Sequence, residues 1–86
     1  MKPHTRMWFK SRGKKPGELI LCELCRGREA GPPHHIDPRR MGGSKLKDAP
    51  ENLIALCYVC HSEAEGPEKE RMRPELLKRV KEILGL

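Results

Sequence analysis

The clearest hydrophobic pattern of the chain lies near its C-terminal end and predicts a helix. Five apolar residues recur there at the spacing of one helical face, and they are Leu76, Leu77, Val80, Ile83 and Leu84. Pro74 suits the first helical position, and Gly85 follows the last apolar residue. The pattern therefore predicts an amphipathic helix that starts at Pro74, ends at Gly85 and packs its apolar stripe on the rest of the protein.

Shorter apolar runs predict two strands, at residues 18–21 and 53–56, and each run leads into a pair of cysteines. Residues 33–36 are expected to be extended, because Pro38 disfavours a helical conformation of the residue before it. A short helix is expected over residues 60–66, where Gly and Pro then interrupt the chain. The middle of the chain is therefore expected to consist of short elements joined by turns.

The N-terminal segment has no sustained period and is interrupted by Pro and Gly, so we expect residues 1–17 to form a basic, mostly irregular arm. Trp8 and Phe9 are its one sizeable apolar pair. We expect this pair to anchor the arm onto the domain, and stacking on a nucleobase is the alternative. Residues 18–67 then form the core, and residues 68–86 hold the C-terminal helix packed on it.

The length and composition indicate one small domain that needs a disulfide or a bound metal ion for its stability. The chain has 86 residues with one Trp, one Tyr and one Phe, so its core is small. Four cysteines could form two disulfides or one zinc site. No apolar stretch resembles a signal peptide or a membrane span, so we expect a cytoplasmic protein with reduced thiols and no membrane partner. This favours zinc, and a disulfide-stapled secreted toxin is the alternative.

The cysteines are arranged as two pairs, each with a gap of two residues that lets both sulfurs face one ion. The ligands are Cys22, Cys25, Cys57 and Cys60. The 31 residues between the pairs exceed the usual spacing of a zinc ribbon, so another element is inserted there. Because four thiolates fill the tetrahedral coordination of zinc, we expect a structural Zn2+ with no open position for water.

Charge is distributed unevenly along the chain. The net charge is +6, with a sequence pI near 9.4. Residues 1–47 contain twelve basic residues (Lys and Arg) and four acidic ones. Residues 48–86 contain six basic residues and eight acidic ones. A basic half suggests a polyanionic partner, with nucleic acid first, although a merely solvated surface would have the same charge.

Three histidines lie close to the cysteine pairs without belonging to them: His34, His35 and His61. A neutral imidazole serves both as a metal ligand and as a general base near neutral pH. Adjacent residues on a strand point to opposite faces, so His34 and His35 are expected to have different roles.

In their order and spacing these residues resemble the HNH endonuclease family. The resemblance rests on the His-His-Ile-x-Pro sequence at residues 34–38, a Gly-Gly loop, and the Glu-Asn-Leu-Ile-x-Leu-Cys-x-x-Cys-His sequence at residues 51–61. It covers roughly residues 18–66. It implies an α+β fold with a ββα-metal (His-Me finger) core, in which two antiparallel strands and a helix surround a divalent cation. Small free-standing members occur in phage and mobile elements, which suggests a similar context here.

The resemblance also implies a role for each residue of the motif. His35 corresponds to the general base, and His34 corresponds to the first metal ligand. Asn52 would brace the loop or orient His35, and His61 corresponds to the metal ligand on the helix. Glu65 follows His61 by one helical turn, so it is either a further ligand or a solvated carboxylate.

The resemblance implies a DNA endonuclease that uses one divalent cation, such as Mg2+, Mn2+ or Ni2+, and leaves a 5′ phosphate. Four basic residues between the strands are expected to contact phosphates, and they are Arg39, Arg40, Lys45 and Lys47. No separate sequence-reading domain is visible, so we expect low specificity or a protein partner that supplies it. The alternative function is a non-catalytic, zinc-stabilised nucleic-acid-binding module, which would not require the histidines.

Overall fold

The structure is a computed structural model that describes residues 3–36 and 49–86. Its helices and strands follow one another in the order α1 (Pro3–Arg12), β1 (His34–His35), β2 (Leu53–Ile54), α2 (Tyr58–Glu65) and α3 (Lys69–Leu84), with a 3-10 turn at Pro50–Asn52 before β2. The described part of the chain is thus a small α+β arrangement of two antiparallel strands and three α-helices.

The two strands form a minimal antiparallel sheet in which His34 pairs with Ile54 and His35 with Leu53. The N–H of Ile36 donates a hydrogen bond of 2.8 Å to the carbonyl of Asn52, which extends the pairing by one step. These pairs confirm that residues 33–36 include an extended piece and that a strand begins at Leu53.

The predicted strand at residues 18–21 is wrong, because this segment makes only an isolated bridge between Leu21 and Glu29. The chain reverses between these two residues to form the first cysteine turn, and this leaves too few residues for a ladder. The N–H of Cys22 donates to Arg28 and the N–H of Ala30 donates to Ile20, each at 2.8 Å. The turn therefore closes as a very short hairpin.

The prediction that residues 1–17 are mostly irregular is also wrong, since residues 3–12 form the helix α1. The residues that suggested irregularity flank the helix. Pro3 is its first residue, where a missing N–H has no cost, and Gly13 follows its last residue with a φ of 65°. Trp8 is 1% exposed, which confirms that it anchors this segment onto the domain.

A buried carboxylate holds α1 in place. Glu23 accepts a hydrogen bond of 2.8 Å from the Trp8 indole N–H and one of 2.9 Å from Nε of Arg12. The same carboxylate accepts a hydrogen bond of 2.8 Å from the N–H of Ala55, just after β2. Arg12 also donates to the carbonyl of Leu53 at 2.6 Å. One ion pair thus joins α1, the first cysteine turn and the second strand.

The last two helices start earlier than the sequence pattern predicted. α2 begins at Tyr58, and the Sγ atom of Cys57 caps it by accepting a hydrogen bond from the N–H of Cys60. α3 begins at Lys69, so Pro74 lies inside the helix and not at its first position. Met72 is buried and extends the apolar stripe by one turn before Leu76, which favours helix on the N-terminal side of the proline. 

The end of the last helix was predicted correctly. Gly85 caps α3 with a φ of 76°, a left-handed conformation that glycine adopts without strain. Leu76 and Val80 of this helix pack in the main core cluster with Cys22, Ile54 and Cys57. Two residues of the C-terminal helix thus lie in the core, and the division of the chain into arm, core and helix units stays a prediction.

The ion pair provides a test of this architecture. Arg12→Met should lower the free energy of unfolding by about 3–5 kcal/mol, because it leaves the Glu23 carboxylate buried without its cation. The side chains of Arg12 and Glu23 are only 3% and 8% exposed. Urea denaturation followed by circular dichroism would measure the change. Arg71→Met is the matched control, because the Arg71–Glu68 pair is exposed, and it should leave the midpoint nearly unchanged.

Candidate metal and catalytic site

Four thiols converge between the first cysteine turn and the start of α2. Every Sγ atom of Cys22, Cys25, Cys57 and Cys60 lies within 4.8 Å of the other three. The Sγ atoms of Cys25 and Cys57 are 3.8 Å apart. Four sulfurs at about 2.3 Å from a tetrahedral zinc ion stand about 3.8 Å from one another. The thiolate cluster, as we call these four residues, therefore has the dimensions that zinc requires.

Backbone amides favour ionised thiols in this cluster. Burial by itself raises the pKa of Cys22, but hydrogen bonds from backbone N–H groups, that of Cys25 first, bring it down to about 6. The N–H of Cys60 lowers the pKa of Cys57 in the same way. Burial and then the neighbouring sulfurs raise the pKa of Cys60. Backbone N–H groups therefore stabilise the thiolate forms of Cys22 and Cys57, which are the forms that bind a cation.

A second cluster is formed by His34 on β1 and by His61 and Glu65 on α2. One ligand atom from each of these residues lies within 4.8 Å of the other two. The imidazole rings of His34 and His61 stack with their centroids 4.5 Å apart and their planes 16° apart. Nε2 of His61 lies 3.6 Å from the Glu65 carboxylate, as the spacing of one helical turn allows. We call these three residues the histidine cluster.

The state of His34 fits a metal ligand. Its Nδ1 atom is buried and has no hydrogen-bond partner among the described residues. Burial, and then the neighbouring His61, lowers the pKa of His34 to about 4, so the ring is neutral near pH 7. A neutral imidazole with a buried, unpartnered nitrogen is the form that binds a divalent cation. The donor set of two imidazoles and one carboxylate suits Mn2+, Ni2+ or Zn2+ and tolerates Mg2+.

His35 contacts a different helix from its neighbour. Its ring lies against the ring of His4 on α1, with the centroids 4.6 Å apart and the planes tilted by 46°. The adjacent histidines thus face different partners, as the alternation of a strand predicts. Both rings still line one cavity of about 300 Å³, together with Glu65. Two of the three residues of the histidine cluster, His34 and Glu65, therefore share a cavity with His35.

Asn52 is fully buried at the end of the 3-10 turn. Its carbonyl accepts the hydrogen bond from Ile36, and its N–H donates to the carbonyl of Ala49 at 2.8 Å. The backbone of Asn52 therefore fixes the chain immediately after His35. Its role in catalysis stays a prediction.

The four predicted phosphate contacts, Arg39, Arg40, Lys45 and Lys47, lie outside the described residues. Sequence reasoning missed other residues near the site. His4 was assigned to an irregular arm, although His4, Trp8 and Arg12 recur at every fourth position and so mark one helical face. Lys69 and Arg73 share the cavity with His34 and His35, and they too are four residues apart.

Comparison with known families decides the affiliation of the chain. The family model described as "HNH endonuclease" matches residues 22–65, which is 44 of the 86 residues and just over half of the chain. The protein belongs to the HNH endonuclease family. Neither the curated proteins nor the solved structures gave a significant match. 

The HNH segment contains the thiolate cluster and the histidine cluster, and Glu65 is its last residue. It excludes α1 and α3. Membership of this family supports a nuclease-type function with metal binding and a nucleic-acid substrate. None of the described helices has the length and apolar character needed to cross a membrane.

The thiolate cluster is expected to be essential for folding. Cys57→Ser should remove zinc and unfold the domain, because structural zinc contributes roughly 10 kcal/mol or more in small modules. Serine preserves the cap of α2, so the substitution isolates the loss of a metal ligand. Zinc content and the melting temperature measure the effect. Tyr58→Phe, at an exposed neighbour, is the control. A Cys57→Ser protein that retains zinc and melts like the parent would contradict the assignment.

Proposed function

We propose that this HNH protein is a metal-dependent endonuclease that hydrolyses phosphodiester bonds of DNA. The observation that supports the proposal most strongly is the convergence of His34, His61 and Glu65, two of which, His34 and Glu65, share a cavity with His35. A zinc module that only binds nucleic acid would need the thiolate cluster but not this second set of ligands. In this proposal β1, β2 and α2 form the ββα-metal core.

His34, His61 and Glu65 are proposed to hold the catalytic cation, which would be a divalent ion such as Mg2+, Mn2+ or Ni2+. The cation would neutralise the scissile phosphate and stabilise the leaving 3′ oxygen. The orphaned nitrogen of His34 gives the cluster a ligand that is already neutral and desolvated. The helical spacing of His61 and Glu65 brings the other two donors to the same side.

His35 is proposed to act as the general base that takes a proton from the attacking water. Its backbone is held on both sides, by pairing with Leu53 and by the hydrogen bond between Ile36 and Asn52. Its ring is packed against that of His4. Asn52 is proposed to position His35 through this backbone contact, without touching the substrate.

The substrate is proposed to be DNA, bound mainly through its phosphates. The basic first half of the chain supports this choice. Arg39, Arg40, Lys45 and Lys47 remain candidates for these contacts. The alternative function is a non-catalytic, zinc-stabilised nucleic-acid-binding module, since the thiolate cluster and the basic half would serve it equally well. The two functions differ in whether DNA is cut.

Incubation with plasmid DNA separates these functions. The parent protein should cut or nick the plasmid in the presence of Mg2+, Mn2+ or Ni2+, and a chelator should stop the reaction. His35→Ala should slow cleavage by about 10²–10⁴-fold, the usual contribution of a general base. The variant should keep its zinc and its melting temperature, because His35 is not a ligand of either cluster. Lys78→Ala, at an exposed position of α3 that lines a different cavity, controls for the effect of losing an exposed side chain. If His35→Ala cuts as fast as the parent, His35 is not the base.

The two metal sites should separate during a chelator titration. The histidine cluster offers three protein ligands and remains open, so its ion should exchange readily, whereas four thiolates should hold zinc tightly. Cleavage should therefore be lost at low EDTA while the circular dichroism spectrum stays constant, and added Mn2+ should restore it without refolding. Loss of activity and of ellipticity in one step would mean that the sites are not independent.

A further inference from the structure

The cavity beside the histidine cluster is completed by α3, a helix outside the 22–65 segment that defines the family. Its lining residues are His34, His35, Ile36, Glu65, Lys69, Arg73 and Leu76. The two cations on this wall, Lys69 and Arg73, are one helical turn apart and therefore lie on one face of α3. The same face carries Met72 and Leu76 into the core, so the helix cannot rotate these cations away without unpacking.

Both cations have unused capacity for hydrogen bonds. Lys69 is exposed, and no described residue forms an ion pair or hydrogen bond with its ammonium group. Arg73 is partly buried, and its two terminal nitrogens lie 3.1 and 3.2 Å from the carboxylate of Glu70. Its Nε atom is buried and has no hydrogen-bond partner among the described residues. Each terminal nitrogen carries a second N–H that Glu70 does not engage, so the guanidinium still has donors to offer.

The pairing of Arg73 with Glu70 does not exclude an incoming anion. The side chain of Glu70 is 63% exposed, so the pair is solvated and weak. A phosphate accepts hydrogen bonds from a guanidinium in the same bidentate geometry as a carboxylate and carries its charge on more than one oxygen. The remaining acid of the cavity, Glu65, belongs to the histidine cluster, where a bound cation would compensate it.

We propose that Lys69 and Arg73 form a phosphate-binding site for the backbone of the substrate DNA, next to the phosphate that is cut. This inference rests on the proposed function, because it takes the histidine cluster as the place of cleavage. The helix α3 then has a second purpose beyond packing. It supplies one wall of the cavity, which the family-defining segment does not provide. It also holds the DNA strand so that one phosphate reaches His35.

The salt dependence of DNA affinity tests this site directly. Each lost phosphate contact should flatten the slope of log affinity against log salt by about 0.9 for duplex DNA. Binding would be measured in the His35→Ala background, which prevents cutting during the titration. Adding Lys69→Gln and Arg73→Gln should flatten the slope by up to about 1.8, or by about 0.9 with Lys69→Gln alone.

The same helix offers a matched control. Lys78 and Arg79 line a different cavity, with Leu24, Glu75 and Glu82. Changing both to Gln removes two positive charges, as in the test variant, but from the other side of α3. This control should leave the slope of log affinity against log salt unchanged. The charge-retaining pair Lys69→Arg and Arg73→Lys should also keep the slope. Circular dichroism and zinc content establish that each variant is folded. If the Lys69→Gln and Arg73→Gln double variant is not folded, the single variant Lys69→Gln, at an exposed position, is used for the test.

The outcomes are distinguishable. Flattening restricted to the Lys69 and Arg73 variants supports the site. The site is overturned if the Lys78 and Arg79 variant flattens the slope equally, or if neither double variant flattens it. The proposed nuclease function still stands in that case if the parent cuts plasmid DNA. If the parent neither binds nor cuts DNA, the proposed function fails, and this site fails with it.

Discussion

The arrangement of the whole molecule depends on one buried carboxylate. Glu23 lies inside the first cysteine turn, and its two oxygens are bound by Trp8, Arg12 and the N–H of Ala55. A buried charge of this kind is costly unless all of its partners are present, so it specifies one relative position for α1, the cysteine turn and β2. Because the turn also supplies two thiolates, the ion pair and the thiolate cluster stabilise the same small region from two sides.

The two metal clusters are connected through α2. This helix has only eight residues and is capped by Cys57, while Cys60 and His61 are consecutive within it. A zinc ion on the thiolates therefore fixes the start of the helix that carries His61 and Glu65. The remaining ligand, His34, is held from the other direction by its pairing with Ile54. The thiolate cluster and the core thus fix the elements that carry the histidine cluster, and this fits the proposal that the histidine cluster binds a cation weakly.

The parts of the structure that the sequence predicted are those with local signals. Three of these signals act within a few residues. They are the spacing within each cysteine pair, the glycine after Leu84 and the helical spacing of His61 and Glu65. The helix at residues 3–12 was missed because its stability comes from Glu23 and Leu53, which are remote in sequence. The early start of α3 was missed for a similar reason, since burial of Met72 outweighs the usual preference for proline at a first position. The contact between His4 and His35 depends on that same remote packing.

The proposed nuclease function depends most on whether the histidine cluster binds a divalent cation apart from the thiolate cluster. Electron paramagnetic resonance of Mn2+ added to zinc-loaded protein tests this claim directly, because coupling to imidazole nitrogens reports the ligands. Mn2+ in the parent protein should couple to two imidazoles, and in His34→Ala or His61→Ala it should couple to one, with the zinc content unchanged. An Mn2+ signal without nitrogen coupling, or one that neither substitution alters, would contradict it.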